Sequence, residues 1–341
     1  MRACRCVPAH APDMKLPAPF IQLPLLFDAA ALCTEIEAIG EHAWMPHPQG
    51  FAGNSMLPLV AVEGDPANES FVGPMAPTAH LRRCPYLSQA IASLGCVPGR
   101  SRLMRLAGQA EVKRHADQGY YWTERVRVHV PVVTQPGVRF ECGGAAVHMA
   151  AGECWIFDTW RQHRVLNDTP DTRIHLVVDT VGGGDFWSLV AGGRTHDGPA
   201  AGWSPRRVAP VAGEVPALAC EQVNIPAVMS PWELKAHIGS LLEDALPHPG
   251  LPAARQHAAA FLHDWRGLWF RYGEDERGKP EYRRAIARFV SRVEPVSREL
   301  PLRNELGWLE ALLHILTFAV PDPDDSRPRS AEELRRVGDL A

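Results

Sequence analysis

Lysine is nearly missing from this 341-residue chain: its 35 basic residues are overwhelmingly arginine, and with the high proline and alanine content they resemble the product of a GC-rich bacterial genome. No segment is long and apolar enough to span a bilayer, so a membrane partner is not expected. Charge of one sign is also lacking; a formal net charge of −4 gives no reason to expect nucleic acid. The eight cysteines are scattered, with only Cys4 and Cys6 close together, which excludes a zinc spacing and a disulfide framework. Met1–Pro8 has no apolar signal core, so a reducing cytoplasm is the expected compartment. No internal repeat is present.

The remainder is ordinary globular material, 46% hydrophobic and 22% charged, and long enough for two domains. Residues 1–13 are aperiodic and expected to be disordered, with Met14 as a candidate true start. Asp28 reads as the cap of a helix reaching Ile39, with Leu32, Ile36 and Ile39 on one face. A β-rich domain is expected over 14–190, with a helix near 86–94 and a brief one at 186–190. Residues 191–225 read as a linker by composition. The region 226–320 is helical: Ser230-Pro231-Trp232-Glu233 is a capping-box start for a helix to about Leu246, followed by helices near 253–272, 280–293 and 302–319. Residues 321–341 read as a polar tail.

Chemistry concentrates between residues 103 and 179. His115-Ala116-Asp117 is the single His-x-acid in the chain, although 15 histidines and 39 acidic residues would give about one or two by chance. Its setting in Val112–Asp117 is what raises it. On a strand, residues i and i+2 share a face, so His115 and Asp117 can bind one metal ion without backbone strain. A third ligand must come from a distant strand, and the run Ala151–Asp158 followed by Trp160 and His163 delivers the candidate, His163. Two imidazoles and one carboxylate on one face of an octahedral ion leave three positions open.

Arg173 begins the β-branched run Arg173–Asp179, where alternation places Arg173 and His175 on one face. An inward arginine requires an anion, and a carboxylate held bidentately suits it; the plain alternative is a surface ion pair with Asp168 or Asp171. In Arg125–Pro131 the alternation likewise puts Arg125, Arg127 and His129 together opposite Val126, Val128 and Val130. Either that row faces solvent on an edge strand ended by Pro131, or it lines a cavity that receives carboxylates.

These segments, from about Leu103 through Asp179, together resemble the aspartyl/asparaginyl β-hydroxylases, a branch of the 2-oxoglutarate oxygenases. The resemblance rests on Ala107-Gly108, His115-Ala116-Asp117, Arg127–Pro131, Gly152–Asp158, His163–Asn167 and Arg173–Asp179, with a looser likeness at Trp44, Gly73-Pro74 and Pro77-Thr78. It implies a mainly β core, a cupin-like double-stranded β-helix (jelly roll) with flanking helices, to which the C-terminal all-α region is an addition. It also implies Fe(II) on His115, Asp117 and His163, and 2-oxoglutarate with its distal carboxylate on Arg173 and its metal-bound end near Arg127 and His129. O2 is the second cosubstrate. Arg125 matches an arginine that reads the substrate carboxylate in members acting on aspartyl side chains. Asp117 is present where some of those members lack the aspartate, whereas Leu103 and Met104 stand where they offer a serine.

The implied function is hydroxylation of an sp3 carbon in a carboxylate-bearing amino acid or an aspartyl/asparaginyl-type residue, free, carrier-bound or peptidyl, with release of succinate and CO2. Tyr120, Tyr121 and Trp122, directly after two metal ligands, are candidate substrate contacts, and Asp158 is a candidate to orient His163. Two other classes fit parts of the pattern: a zinc hydrolase on the same triad, and a non-catalytic cupin-like binding module. Substrate identity and oligomeric state stay open.

Overall fold

The computed structural model describes residues 16–48, 50–322 and 328–340; the expectations for residues 1–13 and Met14 lie outside them. The chain divides into two compact units. The β unit comprises residues 16–117 and 125–225, and the helical unit comprises 118–124 and the described residues from 226 onward.

Fourteen strands build the β unit: β1 (Phe20–Phe27), β2 (Met45–Pro46), β3 (Asn54–Val62), β4 (Met75–Pro77), β5 (Pro98–Leu106), β6 (Glu111–His115) and β7 (Val126–Val133), then β8 (Val138–Cys142), β9 (Ala145–Val147), β10 (Glu153–Phe157), β11 (His163–Asn167), β12 (Arg173–Thr180), β13 (Arg194–Thr195) and β14 (Arg206–Val208). The larger sheet runs β13-β1-β10-β7-β12-β5-β3-β2, with β14 beside β1 and β4 beside β3; the smaller runs β6-β11-β8-β9. All pairings are antiparallel except β1 with β14. This is the jelly-roll arrangement of two facing antiparallel sheets.

Alternation along the central strands decides what each sheet face meets. Val128, Val130, Ile156, Leu176, Val178 and Leu103 join one core that also holds Leu32, Ile36 and Ile39 of α1 (Ala29–Ile39). Asp28 caps that helix, its side chain accepting from Ala31 N at 3.0 Å. Short α2 (Ala79–Arg82) and α3 (Pro85–Ala92) cover the same face through Leu81, Leu87 and Ile91. On the other face Phe20, Trp155, Phe157 and Leu106 meet Val138, Phe140 and Val165 of the smaller sheet. The β8–β9 hairpin turns on Gly143 and Gly144, both at positive φ (56° and 86°), which suits a two-residue loop between twisted strands.

Three expectations for the β unit change. Pro131 does not end its strand: β7, flanked by β10 and β12 at Arg127–His129, continues along β12 to Val133, with one extra β7 residue beside Pro131 where the register shifts. The row carried by β7 therefore lies on an interior strand, not an edge. The stretch 191–225, expected as a linker, belongs to the β unit and supplies β13 and β14. It also supplies buried Glu221, whose carboxylate accepts from Arg125 Nε and Nη2, both at 2.9 Å. Arg125, expected to face a substrate carboxylate, thus already holds a carboxylate of the chain, in a pair whose side chains are each 3% exposed.

The helical unit holds α4 (Tyr120–Thr123), α6 (Pro231–Asp244), α7 (Leu251–Tyr272), α8 (Lys279–Ser297), α9 (Trp308–Ala319) and α10 (Ala331–Leu340); α5 (Gly184–Ala191) belongs to the β unit. Ser230 caps α6 through Glu233 N at 3.3 Å, and Trp265, Phe261, Phe289, Trp308 and Leu312 are buried. α9 starts later than its apolar periodicity, because bridges Ala245–Leu302 and Pro301–Gly307 and the turn between them, with Glu305 at φ 71°, occupy the preceding residues. The tail expected at 321–341 contains α10, seated against α8 where Ala287 lies at Gly338. Among the described residues no helix is long and apolar enough to cross a membrane.

Removing one partner of a buried ion pair strands the other, at a cost of about 3–5 kcal/mol. Glu221→Ala is expected to destabilise the β unit by that order in urea unfolding, and Arg125→Met with Glu221→Leu to recover most of the loss. An unchanged midpoint in Glu221→Ala would contradict the pairing.

Candidate active site

The smaller sheet assembles the triad by register. β6 and β11 pair so that His115 stands opposite His163, with ring centroids 4.2 Å apart. Asp117 follows β6 at the i+2 position, its N–H donating to Thr159 O at 2.9 Å, which ties it to the turn before β11. One donor atom each from His115, Asp117 and His163 lies within 4.8 Å of the others. His115 Nε2 is 3.7 Å from Asp117 Oδ1.

Both histidines are oriented in the same way. His115 Nδ1 lies 2.7 Å from Lys113 O and His163 Nδ1 lies 2.9 Å from Arg161 O. A carbonyl only accepts, so each Nδ1 carries a proton, and in the neutral ring this leaves the Nε2 lone pair for metal ligation. Burial holds His163 down to about 4, with Asp117 opposing that shift. Asp158 acts on His163 indirectly: it accepts from Trp160 N at 3.1 Å and Arg161 Nε at 3.0 Å and so shapes the turn whose carbonyl holds the ring.

The inner face of the larger sheet surrounds the triad with cations. Burial works against ionisation of Asp117, but the neighbouring charges, Arg127 foremost, outweigh it and keep the carboxyl below its usual value. Arg127 Nη1 is 3.1 Å from Asp117 Oδ2, and its Nε donates to Asp179 Oδ1 at 2.9 Å. Arg127 therefore bridges the Asp117 and Asp179 carboxylates. Further along, Arg173 is 3% exposed and its Nη2 lies 2.6 Å from His175 Nδ1. Asp168 pairs with Arg139 instead, and among the described residues no carboxylate pairs with Arg173. Desolvation alone lowers the Arg173 guanidinium to about 9. His129 Nδ1 is 3.3 Å from His175 Nδ1, and the Nε2 atoms of both rings are buried without a hydrogen-bond partner.

Two residues here went unread in the sequence. Arg102, buried on β5 opposite Val177, acts electrostatically on Asp117 and His129. His47, next to β2, is held at about 4 by burial and by the charges of Arg102, Arg100, Arg127 and His115. The alternation in Arg100-Ser101-Arg102 was the available signal for the first. Tyr120, Tyr121 and Trp122 belong to the helical unit, where the Tyr120 hydroxyl donates to Glu233 at 2.7 Å and the Tyr121 and Trp122 rings meet edge to face. A groove of about 630 Å³ lined by Trp44, Asn54, Arg105 and Ile174 shares no residue with the triad.

Residues 71–182 match the family described as aspartyl/asparaginyl beta-hydroxylase. No curated protein matches the chain. Among solved structures similar to it, HygX from Streptomyces hygroscopicus, with nickel and 2-oxoglutarate bound, is 10% identical over 49% of this chain and 84% of that one, with a TM-score of 0.35. A Pseudomonas putida prolyl-4-hydroxylase is 15% identical over 48% and 93%, at 0.33. A cupin-superfamily sugar phosphate isomerase from Silicibacter pomeroyi is 19% identical over 40% and 68%, at 0.24.

The buried imidazoles set a pH dependence. His129 and His175 are held well below the ordinary histidine value by burial first and then by Arg173, and His163 is at about 4. Below the unfolded value of about 6.5 the unfolded chain takes up protons that these folded rings refuse, so stability falls with pH by about 1.4 kcal/mol per ring per unit. Asp117, whose value is lowered, keeps its contribution until far lower pH. Urea unfolding of the metal-free protein in EDTA is expected to show a marked loss between pH 7 and 5.5, shallower in His129→Phe. A flat profile would contradict it.

Proposed function

We propose, for a chain whose residues 71–182 belong to the aspartyl/asparaginyl β-hydroxylase family, that it is an Fe(II)- and 2-oxoglutarate-dependent hydroxylase. Its substrate would be an amino acid or an aspartyl/asparaginyl-type residue oxidised at an sp3 carbon. The observation that carries this reading is the pairing of a His-Asp-His triad with a buried arginine that has no carboxylate of its own. A buried guanidinium facing only neutral groups costs several kcal/mol and persists where a ligand supplies the anion.

The donor set fits ferrous iron: two neutral imidazoles and one carboxylate leave positions for a chelating oxoacid. His115 and His163 would hold the ion through Nε2, their Nδ1 protons fixed on Lys113 O and Arg161 O. Asp117 would be the anionic ligand, steadied by Arg127, which Asp179 orients from behind. Arg173 would take the distal carboxylate of 2-oxoglutarate. When bound, iron and 2-oxoglutarate supply the power to insert one atom of O2 into a C–H bond, with succinate and CO2 as co-products. Phe140 and Phe157, packed against His129 and His163, line the approach with apolar surface and limit water there. A substrate carboxylate read by Arg125 would share its guanidinium with Glu221.

A zinc hydrolase on the same triad would give Arg173, His129 and His175 no task. Arg173→Met is expected to weaken 2-oxoglutarate binding by about 100-fold or more while leaving metal affinity intact, since a charge-assisted bidentate contact is lost. Anaerobic titration of the ferrous protein, followed by its metal-to-ligand charge-transfer absorption, measures this. Equal affinity in the variant, or no absorption band in the parent, would overturn the reading.

A further inference from the structure

Independently of the triad, we infer that the groove between α8 and α10 is a binding site for a small organic phosphate carrying two or more negative charges. The groove has a volume of about 370 Å³ and is lined by Arg284, Arg288 and Arg292 of α8 and Arg335 of α10. That volume is in the range of small-molecule sites, and among the described residues no acidic side chain lines it.

The sequence builds this groove in two steps. Positions 284, 288 and 292 are one turn apart, so their side chains form a single row of about 12 Å along α8. Ser330 and Glu333 start α10 with reciprocal bonds, Ser330 N donating to Glu333 Oε2 at 2.7 Å and Glu333 N to Ser330 Oγ at 3.2 Å. α10 then crosses α8 with Gly338 over Ala287: a Cβ at Gly338 would stand 2.3 Å from the Ala287 Cβ and 3.1 Å from Arg283 O. Glycine permits that approach. It brings Arg335, one turn earlier on α10, to the row.

Charge sets the row apart from the rest of these two helices. Elsewhere on them an arginine finds its acid one turn back: Arg298 has Glu294 at 3.1 Å, Arg336 has Glu332, and Arg284 has Glu281 at 2.8 Å. One turn back from Arg288 stands Arg284, and one turn back from Arg292 stands Arg288. Like charges at that spacing destabilise a helix. Among the described residues neither Arg288 nor Arg292 makes an ion pair, and both are exposed. Arg288 acts on Glu281 only from a distance, behind Arg284. Arg335 shares Glu294 with Arg298, so that carboxylate answers two cations. Ser291, also in the groove, donates its hydroxyl proton to Ala287 O at 2.9 Å. The donors that remain for a ligand are guanidinium N–H groups.

These donors select the ligand. A guanidinium is a planar fork for two oxygens, and one carboxylate fills one fork. A phosphate ester brings three oxygens and a charge of about −1.5 to −2, enough for two arginines at once. The small side of the groove at Ala287 and Gly338 leaves room for the organic body.

Isothermal titration of fructose 1,6-bisphosphate into the full-length protein at low ionic strength tests this, with fructose and citrate as comparisons. The parent is expected to bind the bisphosphate with a Kd below about 1 mM, about tenfold or more tighter than citrate, and not to bind fructose. Salt at about 0.5 M is expected to weaken binding by about tenfold or more. Arg288→Gln and Arg292→Gln should each lose about tenfold and the double variant about 100-fold. Arg277→Gln, which removes an exposed arginine paired with Asp275 and outside the groove, should bind as the parent does. Unchanged far-ultraviolet circular dichroism checks that the variants fold, and should the double variant not fold, the single variants decide. No binding by the parent, or equal affinity in the variants, would overturn the inference. So would citrate bound as tightly as the bisphosphate and lost in the double variant, or a single-stranded oligonucleotide bound more tightly than the bisphosphate and lost in the same way. None of these outcomes bears on the proposed function.

Discussion

The buried positive charge of Arg173 is the constraint on which the site depends. β7 and β12 place Arg127, His129, Arg173 and His175 on one interior face, and β5 adds Arg102. Such a face is unstable in a low-dielectric core unless each cation is answered. Three answers appear. Arg125 is closed off by Glu221, and Arg127 is shared between Asp117 and Asp179. Arg173 receives only a neutral imidazole. Under the proposed function a ligand carboxylate would complete the third case.

The two sheets divide the labour. Pairing of β6 with β11 sets His115 against His163, and backbone carbonyls two residues upstream set both tautomers. The larger sheet supplies charge, while Phe140, Phe157 and Trp155 between the sheets fill the volume and keep the polar face from collapsing onto water. The side of β7, β10 and β12 that bears Val128, Ile156 and Val178 is a conventional apolar layer under α1 and α3. One face of each strand therefore carries stability and the other carries chemistry.

Much of this was legible in the sequence because it depends on periodicity. Strand alternation located His115 and Asp117, Arg173 and His175, and the β7 row; caps at Asp28 and Ser230 located helix starts. What escaped depends on pairing across long separations. Glu221 lies 96 residues from Arg125, in a stretch whose composition reads as linker, so nothing local announces that it neutralises that arginine. Pro131 read as a strand end because the local rule ignores the bulge at the next residue, where β7 has one residue more than β12. Residues 331–340 read as a polar tail because α10 buries little, Leu334 being its one buried side chain among the described residues.

The most direct measurement is labelled product formation. The iron-loaded protein is incubated with 2-oxoglutarate under 18O2, and the succinate released is weighed by mass spectrometry; slow turnover without the amino-acid substrate is sufficient for detection. The account expects succinate carrying one 18O atom, formed with Fe(II) and not with zinc, and abolished in Arg173→Met. Binding of metal and 2-oxoglutarate with no succinate formed, or unlabelled succinate, would contradict it.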